Sequence, residues 1–429
     1  MSGFPKAFGV LLFDDDLPTA GWAAEGGNAY RFTRIDEISD EVLWWSNLSV
    51  VGYAKLLGAY QHIKPIGYLP TDLSALQNEL GLVRPYKTQQ AAATTLSEIF
   101  ARVMRTANDA YGVCETPDFA SFTKLADPLT LQLAGVDKPI GGDIDAAMRL
   151  AHENITFCIA KSEKHSYAYR FRRPRIEHAL DVLRVPIPTG DWRFHNDDSI
   201  PRQRRVAFLV DLRQPVLAHG YYDQVDAAFA EVVNYGASVK SDRQFICQPD
   251  LLVLSRFAKV AVSGAFVAET YTNLTTRLPL ELARPVGPLS ISIGLLTEAC
   301  LVALMQRSPP RTQSAIKDAH RLTTPRSVWL TAADRFHCMS AALQFHTFGF
   351  TVTNYGAGQV TVQVPVTRAI EACKLSSLIG FVPPLVLQEE AARLQENFKG
   401  APFAAAIANR DRAGTGARAE EDALPQAAA

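Results

Sequence analysis

The sequence predicts an α+β fold that is mainly helical, with a small β-hairpin element near residues 346–366 and a disordered C-terminal tail. Stretches with apolar residues every three or four positions outnumber strand-like stretches, which indicates helices. The strand-like stretches are scattered and do not alternate regularly with helices, which disfavours a doubly wound sheet or a (β/α)8 barrel. Phe348, Phe350 and Val352 alternate with other residues, as do Val360, Val362 and Val364, and the turn-forming residues 354–358 between these two runs predict the hairpin.

The N-terminal part is predicted to hold one strand and three helices. Residues 7–13 form a continuous apolar run, ended by three aspartates, and predict a buried strand. Residues 39–60 carry apolar side chains at helical spacing. A short helix over 71–80 is predicted to stop at Gly81, and the clearest amphipathic helix covers 88–111.

The same signals predict the remaining elements. Residues 186–201 are rich in proline and polar residues and are expected to be irregular, whereas 205–212 is a strand candidate. The apolar stretch 289–304 is expected to be a buried helix or a strand followed by a helix. The other predicted helices are 143–159, 174–183, 223–234, 249–260, 325–345 and 385–398.

We expect residues 1–400 to form a single large α+β domain, with a sub-boundary, if there is one, near residues 186–201. A chain of this length buries enough surface to need no disulfide or metal staple. From residue 400 onwards the sequence turns to Ala, Arg, Glu and Gly without periodicity. This composition predicts a disordered tail over residues 401–429.

Charge is balanced in the whole chain and unbalanced within it. The 429 residues include 43 basic and 44 acidic side chains, which excludes a polycationic nucleic-acid binder. Residues 1–50 hold three basic and eight acidic side chains, whereas residues 161–205 hold eleven basic and six acidic ones. The middle of the chain is therefore basic and its beginning acidic.

Arginines and aromatic residues are interleaved in the basic stretch, a pattern that suits phosphate contacts together with base stacking. A solvated surface or a subunit interface would use the same residue types. The candidate nucleic-acid-facing residues are Arg170, Arg172, Arg173, Arg175, Arg202, Arg204 and Arg205.

Motifs that would identify a catalytic, cofactor or metal site are lacking in the sequence. There is no phosphate-binding glycine loop, no nucleophile elbow and no zinc-binding spacing, so no cofactor is predicted. If the chain is an enzyme, its site has to be assembled from distant residues. The most ligand-like cluster for such a site is His195, Asp197 and Asp198 with Arg193.

The cysteines and the apolar segments favour synthesis in the cytoplasm. No two of the six cysteines are closer than 35 residues, which is typical of reduced, buried cysteines. The first residues have the wrong length and flanks for a signal peptide. The stretch 289–304 is too short to span a bilayer, so no membrane partner is expected.

In its length and its general residue pattern, the chain resembles the coat proteins of small double-stranded RNA viruses of fungi, the partitivirus-like group. The resemblance rests on the near-neutral charge, the mainly helical pattern, the segment Tyr169–His178 (YRFRRPRIEH) and the Ala-rich tail. It implies a self-assembling subunit that forms dimers and then a shell around an RNA genome, within a virion. No functional residue is carried over from this family. The alternatives are a cytoplasmic enzyme and an RNA-binding module that uses residues 167–205.

Overall fold

A computed structural model provides the structure of the chain. It describes residues 7–15, 18–48, 52, 55–56, 60, 62–65, 73–82, 88–111, 142–153, 166–195, 208–212, 216–217, 244–254, 258–259, 262–274, 290–305 and 323–399.

Nine α-helices lie in these ranges. They are α1 (Leu73–Glu79), α2 (Gln89–Tyr111), α3 (Asp143–Glu153), α4 (Arg175–Leu183), α5 (Gln248–Leu254), α6 (Ser290–Met305), α7 (Pro325–Thr347), α8 (Ala369–Leu378) and α9 (Leu385–Lys399).

The same ranges contain fourteen strands. They are β1 (Ala7–Phe13), β2 (Gly21–Glu25), β3 (Asn28–Phe32), β4 (Val42–Ser46), β5 (Ile63–Pro65), β6 (Ser166–Arg172), β7 (Ile187–His195), β8 (Phe208–Leu212), β9 (Val216–Leu217), β10 (Gln244–Cys247), β11 (Ala258–Lys259), β12 (Val262–Thr272), β13 (Thr351–Gly356) and β14 (Gln359–Pro365).

The N-terminal strands form a five-stranded mixed sheet in the order β3-β2-β1-β4-β5. Strand β1 pairs antiparallel with β2 and parallel with β4, so it lies at the centre. Both faces of β1 are buried, because Val10 and Leu12 pack with α2 while Leu11 and Phe13 pack on the opposite side. The predicted strand over residues 7–13 is confirmed.

The helix predicted over residues 39–60 is wrong in its first part. Val42–Ser46 is strand β4, buried on both faces in the parallel part of the sheet. Trp44 lies on one face and Trp45 on the other, where its ring is 5.6 Å from that of Phe8. A continuous apolar run has no period of its own, so a buried parallel strand resembles a helix segment in the sequence.

A second, four-stranded sheet has the order β10-β8-β12-β7. Strand β7 occupies most of the stretch 186–201 that the sequence predicts to be irregular, and that prediction is wrong. Its proline is accommodated because it pairs only with β12, on one side, and so forms an edge of the sheet. Within the predicted strand 205–212, Phe208–Leu212 is strand β8.

The predicted hairpin near residues 346–366 is confirmed as β13 and β14, which are joined by a turn at Ala357 and Gly358. Both turn residues have positive φ, 51° and 71°. Strand β6 adds to β14 as a third strand, from a position almost 200 residues earlier in the chain. The sequence does not predict this long-range pairing.

Helix α7 connects the two main cores. It begins with Thr324 as N-cap, whose hydroxyl accepts a hydrogen bond from Ser327, and with Pro325 in its first turn. The large core includes Leu12, Leu96, Val182, Leu296 and Trp329, among other residues from α2, α3, α4, α6 and the first half of α7.

The hairpin core lies around the second half of α7. It is formed by one face of β6, β13 and β14 together with α7, α8 and α9, and includes Phe171, Phe345, Val362, Leu375 and Leu387. With four sheets among the described residues, the fold is a mixed α+β fold and not a mainly helical one.

Several sequence predictions fall outside the described residues or are untested by them. The helix at 223–234 and the tail at 401–429 lie outside, and the division into domains stays a prediction. The cysteines Cys247, Cys300, Cys338 and Cys373 are free. Among the described residues, no helix is long and apolar enough to cross a membrane.

Candidate functional site

Strand β6 has two different faces because its side chains alternate. Tyr169 and Phe171 belong to the hairpin core, where the rings of Phe171 and Phe345 lie 4.7 Å apart. Tyr167 follows the same alternation, but it lies near the start of the strand and keeps 60% of its surface exposed. Its ring is therefore accessible to a ligand.

Among the described residues, one edge of β6 is paired at a single point only. The N–H of Arg172 donates to the carbonyl of Val382 at 3.0 Å, and the N–H of Val382 donates to the carbonyl of Arg172 at 2.7 Å. The residues that follow, Pro383 and Pro384, have no N–H with which to extend this pairing, and α9 begins at Leu385. The chain therefore leaves the edge of β6 after a single bridge.

The backbone of Ala168 faces this open edge. Arg173 donates its N–H to Gly358 at 2.9 Å, on the β14 side, whereas Arg172 bonds outward to Val382. Successive residues of a strand direct their N–H and C=O groups to opposite sides, so Ala168 directs its groups outward like Arg172. A hydrogen-bond donor and an acceptor thus lie at the edge.

A groove with a volume of about 670 Å³ runs beside β6. Strand β6 and Thr361 of β14 form one wall, and the end of α1 with the start of α9 forms the other. The hydroxyl of Tyr169 donates to Glu390 on α9 at 2.8 Å and ties the two walls together. The lining residues are Asn78, Glu79, Tyr167, Ala168, Tyr169, Arg170, Arg172, Thr361, Val366, Pro384, Val386 and Glu390.

Four charged side chains form a compact ion-pair cluster beside this groove. Arg175 holds Glu79 through two bonds of 2.6 and 2.7 Å and holds Glu298 through its Nε at 2.7 Å. Arg172 binds the other oxygen of Glu298 and lies 3.4 Å from Glu79. Two guanidiniums and two carboxylates therefore neutralise each other inside the protein.

The cluster determines the ionisation of its members. Burial alone would raise the pKa of Glu79, but Arg175 and Arg172 outweigh it and hold the pKa below its usual range. Burial alone would lower the pKa of Arg175, but Glu298 and Glu79 raise it above its ordinary value. Glu79 and Arg175 are therefore both charged near neutral pH.

The charges that line the groove are balanced and largely engaged. Its charged lining residues are Arg170, Arg172, Glu79 and Glu390, which sum to zero formal charge. The Glu79 oxygens are engaged by guanidiniums and one Glu390 oxygen by Tyr169. The described lining therefore offers aromatic, amide, hydroxyl and backbone groups and no pair of uncommitted carboxylates for metal-ion catalysis.

The arginines predicted to face nucleic acid have different positions. Arg170 is half-buried and lines the groove, and Arg172 and Arg175 belong to the ion-pair cluster. Arg173 binds Asp181 at 2.6 Å. Arg202, Arg204 and Arg205 lie outside the described residues. A nucleic-acid contact of these seven arginines stays a prediction.

Little of the alternative enzyme site falls within the described residues. Arg193 lies on β7 and pairs with Glu269 of β12 at 2.8 Å, on an exposed surface. Asp197 and Asp198 lie outside the described residues, as does the side chain of His195. The structure thus brings no catalytic partner to Arg193 among the residues that it describes.

Sequence reasoning missed the residues on the far wall of the groove. Asn78 and Glu79 precede β6 by almost ninety residues, and Glu390 follows it by more than two hundred. Only Pro383-Pro384 carries a local signal, since two successive prolines indicate the end of a strand pairing.

No protein family and no curated protein matches the sequence. Among solved structures, the chain is similar to Phi29 DNA polymerase complexed with primer-template DNA, with 9% identity and a TM-score of 0.47 over 83% of this chain and 80% of that one. The ternary complex with incoming nucleotides gives a TM-score of 0.42, and the complex with single-stranded DNA gives 0.43, each with 9% identity. They cover 84% and 80% of this chain and 80% and 76% of theirs.

This comparison corrects the functional prediction. The solved structures named above are complexes of a DNA polymerase and not coat subunits, and the expectation of a capsid protein in a virion is wrong. Assembly into a shell likewise has no support. At these TM-scores the likeness assigns no activity or ligand to this chain, and the function has to be argued from the groove.

Proposed function

We propose that this chain is a nucleic-acid-binding protein that holds a single, unpaired strand in the groove along β6. The observation that carries the proposal is the exposed ring of Tyr167 next to the outward-facing backbone of Ala168, at the side of a groove of about 670 Å³. Cavities of this size are typical of small-ligand sites, so one or two nucleotides fit the groove.

Tyr167 supplies the stacking surface. Val364 lies directly opposite Tyr167 in the β14 pairing and is fully buried, so the ring has a rigid support. Base stacking on an aromatic side chain is worth about 1–3 kcal/mol per base and does not depend on the identity of the base. A Tyr at this position therefore favours binding of many sequences.

Ala168 supplies hydrogen bonds that every base can use. Its N–H and C=O form a donor and an acceptor, and each of the nucleobases carries both kinds of group on its Watson–Crick edge. Asn78 and Thr361, which also line the groove, add an amide and a hydroxyl. The bases must be unpaired for these groups to reach them, which favours a single strand over a duplex.

The neutral lining predicts how binding responds to salt. Arg170 and Arg172 are balanced by Glu79 and Glu390, so phosphate attraction contributes little in the groove. Stacking and hydrogen bonds carry the affinity instead. We therefore expect binding that is weak to moderate in strength and that changes little between low and high salt.

Substitution of Tyr167 tests this proposal. The affinity for a fluorescently labelled single-stranded oligonucleotide should fall about five- to a hundredfold in Tyr167→Ala, because the variant loses the ring on which one base stacks. The affinity should be nearly unchanged in Tyr167→Phe, because phenylalanine keeps an aromatic ring at this position. Tyr271→Ala is the matched control, because Tyr271 is a similarly exposed tyrosine of β12 outside the groove. Equal affinities for wild type and Tyr167→Ala would refute this binding mode.

A further inference from the structure

A second cluster of chemically active side chains lies away from the groove lining. His178 of α4 and Asp334 and Cys338 of α7 are all buried, with at most 3% of their surface exposed. Their potential ligand atoms all lie within 4.8 Å of one another. We propose that these three residues bind a divalent ion of the zinc class and so lock the β13–β14 turn onto the two helices.

The donor set suits this class of metal. Imidazole nitrogen, carboxylate oxygen and thiolate sulfur are the ligands that Zn²⁺ takes in proteins. Asp334 and Cys338 are four residues apart on α7, so their side chains lie on the same face of the helix. His178 reaches the same point from α4, with Nε2 2.7 Å from Oδ1 of Asp334.

The ligand atoms already lie close to the separations that a zinc ion requires. His178 Nε2 and the Cys338 thiol both hydrogen-bond to the same oxygen, Oδ1 of Asp334, at 2.7 and 3.6 Å. Zinc–ligand bonds of about 2.0–2.3 Å in a tetrahedral arrangement place neighbouring ligand atoms roughly 3.3–3.7 Å apart. The sulfur already lies at this distance from Oδ1 of Asp334, and Nε2 of His178 has to move away from that oxygen by less than about 1 Å.

Proton balance is straightforward. The ion forms bonds to Nε2, Oδ1 and Sγ, the Cys338 thiol releases one proton to solvent, and a neutral His178 carries its proton on Nδ1 instead of Nε2. Nδ1 lies 3.3 Å from Nη1 of Arg173, which has to release the ring. Arg173 keeps its 2.6 Å bond to Asp181.

Charge is also balanced in the ion-bound cluster. The charges of Arg173 and Asp181 cancel, and once the ion has displaced the thiol proton, Asp334 and the Cys338 thiolate together carry two negative charges in a fully buried place. One divalent cation neutralises them, and burial of an uncompensated charge is strongly unfavourable. The two negative charges of the bound cluster therefore match the charge of one divalent ion.

The surroundings hold the ligands in position. Oδ1 of Asp334 accepts a hydrogen bond from the N–H of Gly358 at 2.8 Å, and Oδ2 accepts one from Ala357 at 2.7 Å. Such outer contacts orient metal ligands in known sites. The half-buried His337, whose ring centroid lies 5.9 Å from that of His178, borders the cluster. His337 lies outside the set of three ligand atoms, so a water molecule would complete the coordination.

Cobalt titration of the full chain tests the proposal. After treatment with a chelator, wild type should take up one equivalent of Co²⁺ with tetrahedral visible absorption and a thiolate charge-transfer band, both displaced by Zn²⁺. Cys338→Ser should lose the charge-transfer band, and Cys373→Ser, a half-buried cysteine outside the cluster, should keep it. Absence of cobalt absorption in wild type, or an unchanged band in Cys338→Ser, would overturn the proposal.

A thermal measurement on wild type alone covers the case in which a variant does not fold. An ion bound only by the folded chain raises the melting temperature, and more so as its concentration rises. We expect Zn²⁺ to raise the Tm of chelator-treated wild type and Mg²⁺ to leave it unchanged, because Mg²⁺ prefers oxygen ligands. A Tm that is the same with and without Zn²⁺ would contradict the site.

Discussion

Arg172 and Val382 exchange both of their backbone hydrogen bonds, and the pairing ends there. Pro383 and Pro384 follow Val382 and cannot donate to a ladder, so in the described part of the chain the rest of the β6 edge lies beside a groove and not beside another strand. The open edge on which the proposed function depends is thus a consequence of two successive prolines more than two hundred residues after β6.

Replacement of Ala168 by proline tests the edge directly. Ala168→Pro removes the outward N–H but no bond to β14, and proline is tolerated at such edge positions. We expect the fold to persist and single-strand affinity to fall about two- to tenfold, the loss of one hydrogen bond of about 0.5–1.5 kcal/mol. Fluorescence anisotropy measures this change, and Ala168→Ser, which keeps the N–H, is the control. Unchanged binding by Ala168→Pro would exclude a role for this amide.

The ion-pair cluster predicts a large effect on stability. Glu298→Ala leaves Arg172 and Arg175 without one of their buried partners, and breaking a buried pair in this way costs about 3–5 kcal/mol. Urea unfolding followed by circular dichroism measures the change. Asp36→Ala is the control, because its pair with Arg34 is exposed and is worth about 0–1 kcal/mol. A similar small change in both variants would show that the cluster contributes little.

Gly358 is predicted to tolerate no side chain. Its φ is 71°, and a Cβ would come within 2.7 Å of Cδ2 of His178, whose ring is fixed by Asp334. Gly26 has a similar φ of 56° but nothing within 4 Å of its Cβ position. We expect both Ala substitutions to be destabilising, and Gly358→Ala to exceed Gly26→Ala by about 1–3 kcal/mol. Denaturant unfolding measures the free energy of unfolding of both variants. Equal losses of stability would contradict a clash between the Cβ at position 358 and His178.

Acid should weaken the fold through Glu79. Its pKa is depressed in the folded state, so the unfolded state binds the proton more tightly and stability rises with pH in that range. The contribution of Glu79 is present above its ordinary pKa of 4.5 and is lost as the pH falls through the lower, folded value. Unfolding free energies between about pH 6 and pH 3 should fall less steeply in Glu79→Gln than in wild type. If the unfolding free energies of wild type and Glu79→Gln fell equally steeply with pH, the acid sensitivity would come from other groups.

Local patterns in the sequence predict those elements that are determined by their own residues. Helix α7 has a cap, a proline in its first turn and a regular period, and the β13–β14 hairpin has alternation and turn glycines. Strand β4 is different, because a continuous apolar run becomes a strand only through its pairing with β1. Elements that owe their state to distant partners are therefore the ones that were predicted wrongly.

The functional groups were harder to predict for the same reason. The sequence pattern of β6 suggested an arginine and aromatic surface for nucleic acid, but the alternation largely separates a core face from a polar face. Glu298 lies 126 residues from Arg172, and Asp334 lies 156 residues from His178. Neither pair has a local signal, so only the folded chain brings these groups together.

The central claim is that a single strand of nucleic acid binds beside β6 through its bases. The most direct measurement is a titration of wild type with a labelled single-stranded oligonucleotide and with its duplex, each at several salt concentrations. We predict tighter binding of the single strand and a slope of log affinity against log salt no steeper than about −1 to −2, since few phosphates are contacted. Equal or tighter binding of the duplex, or no binding of either, would contradict the account.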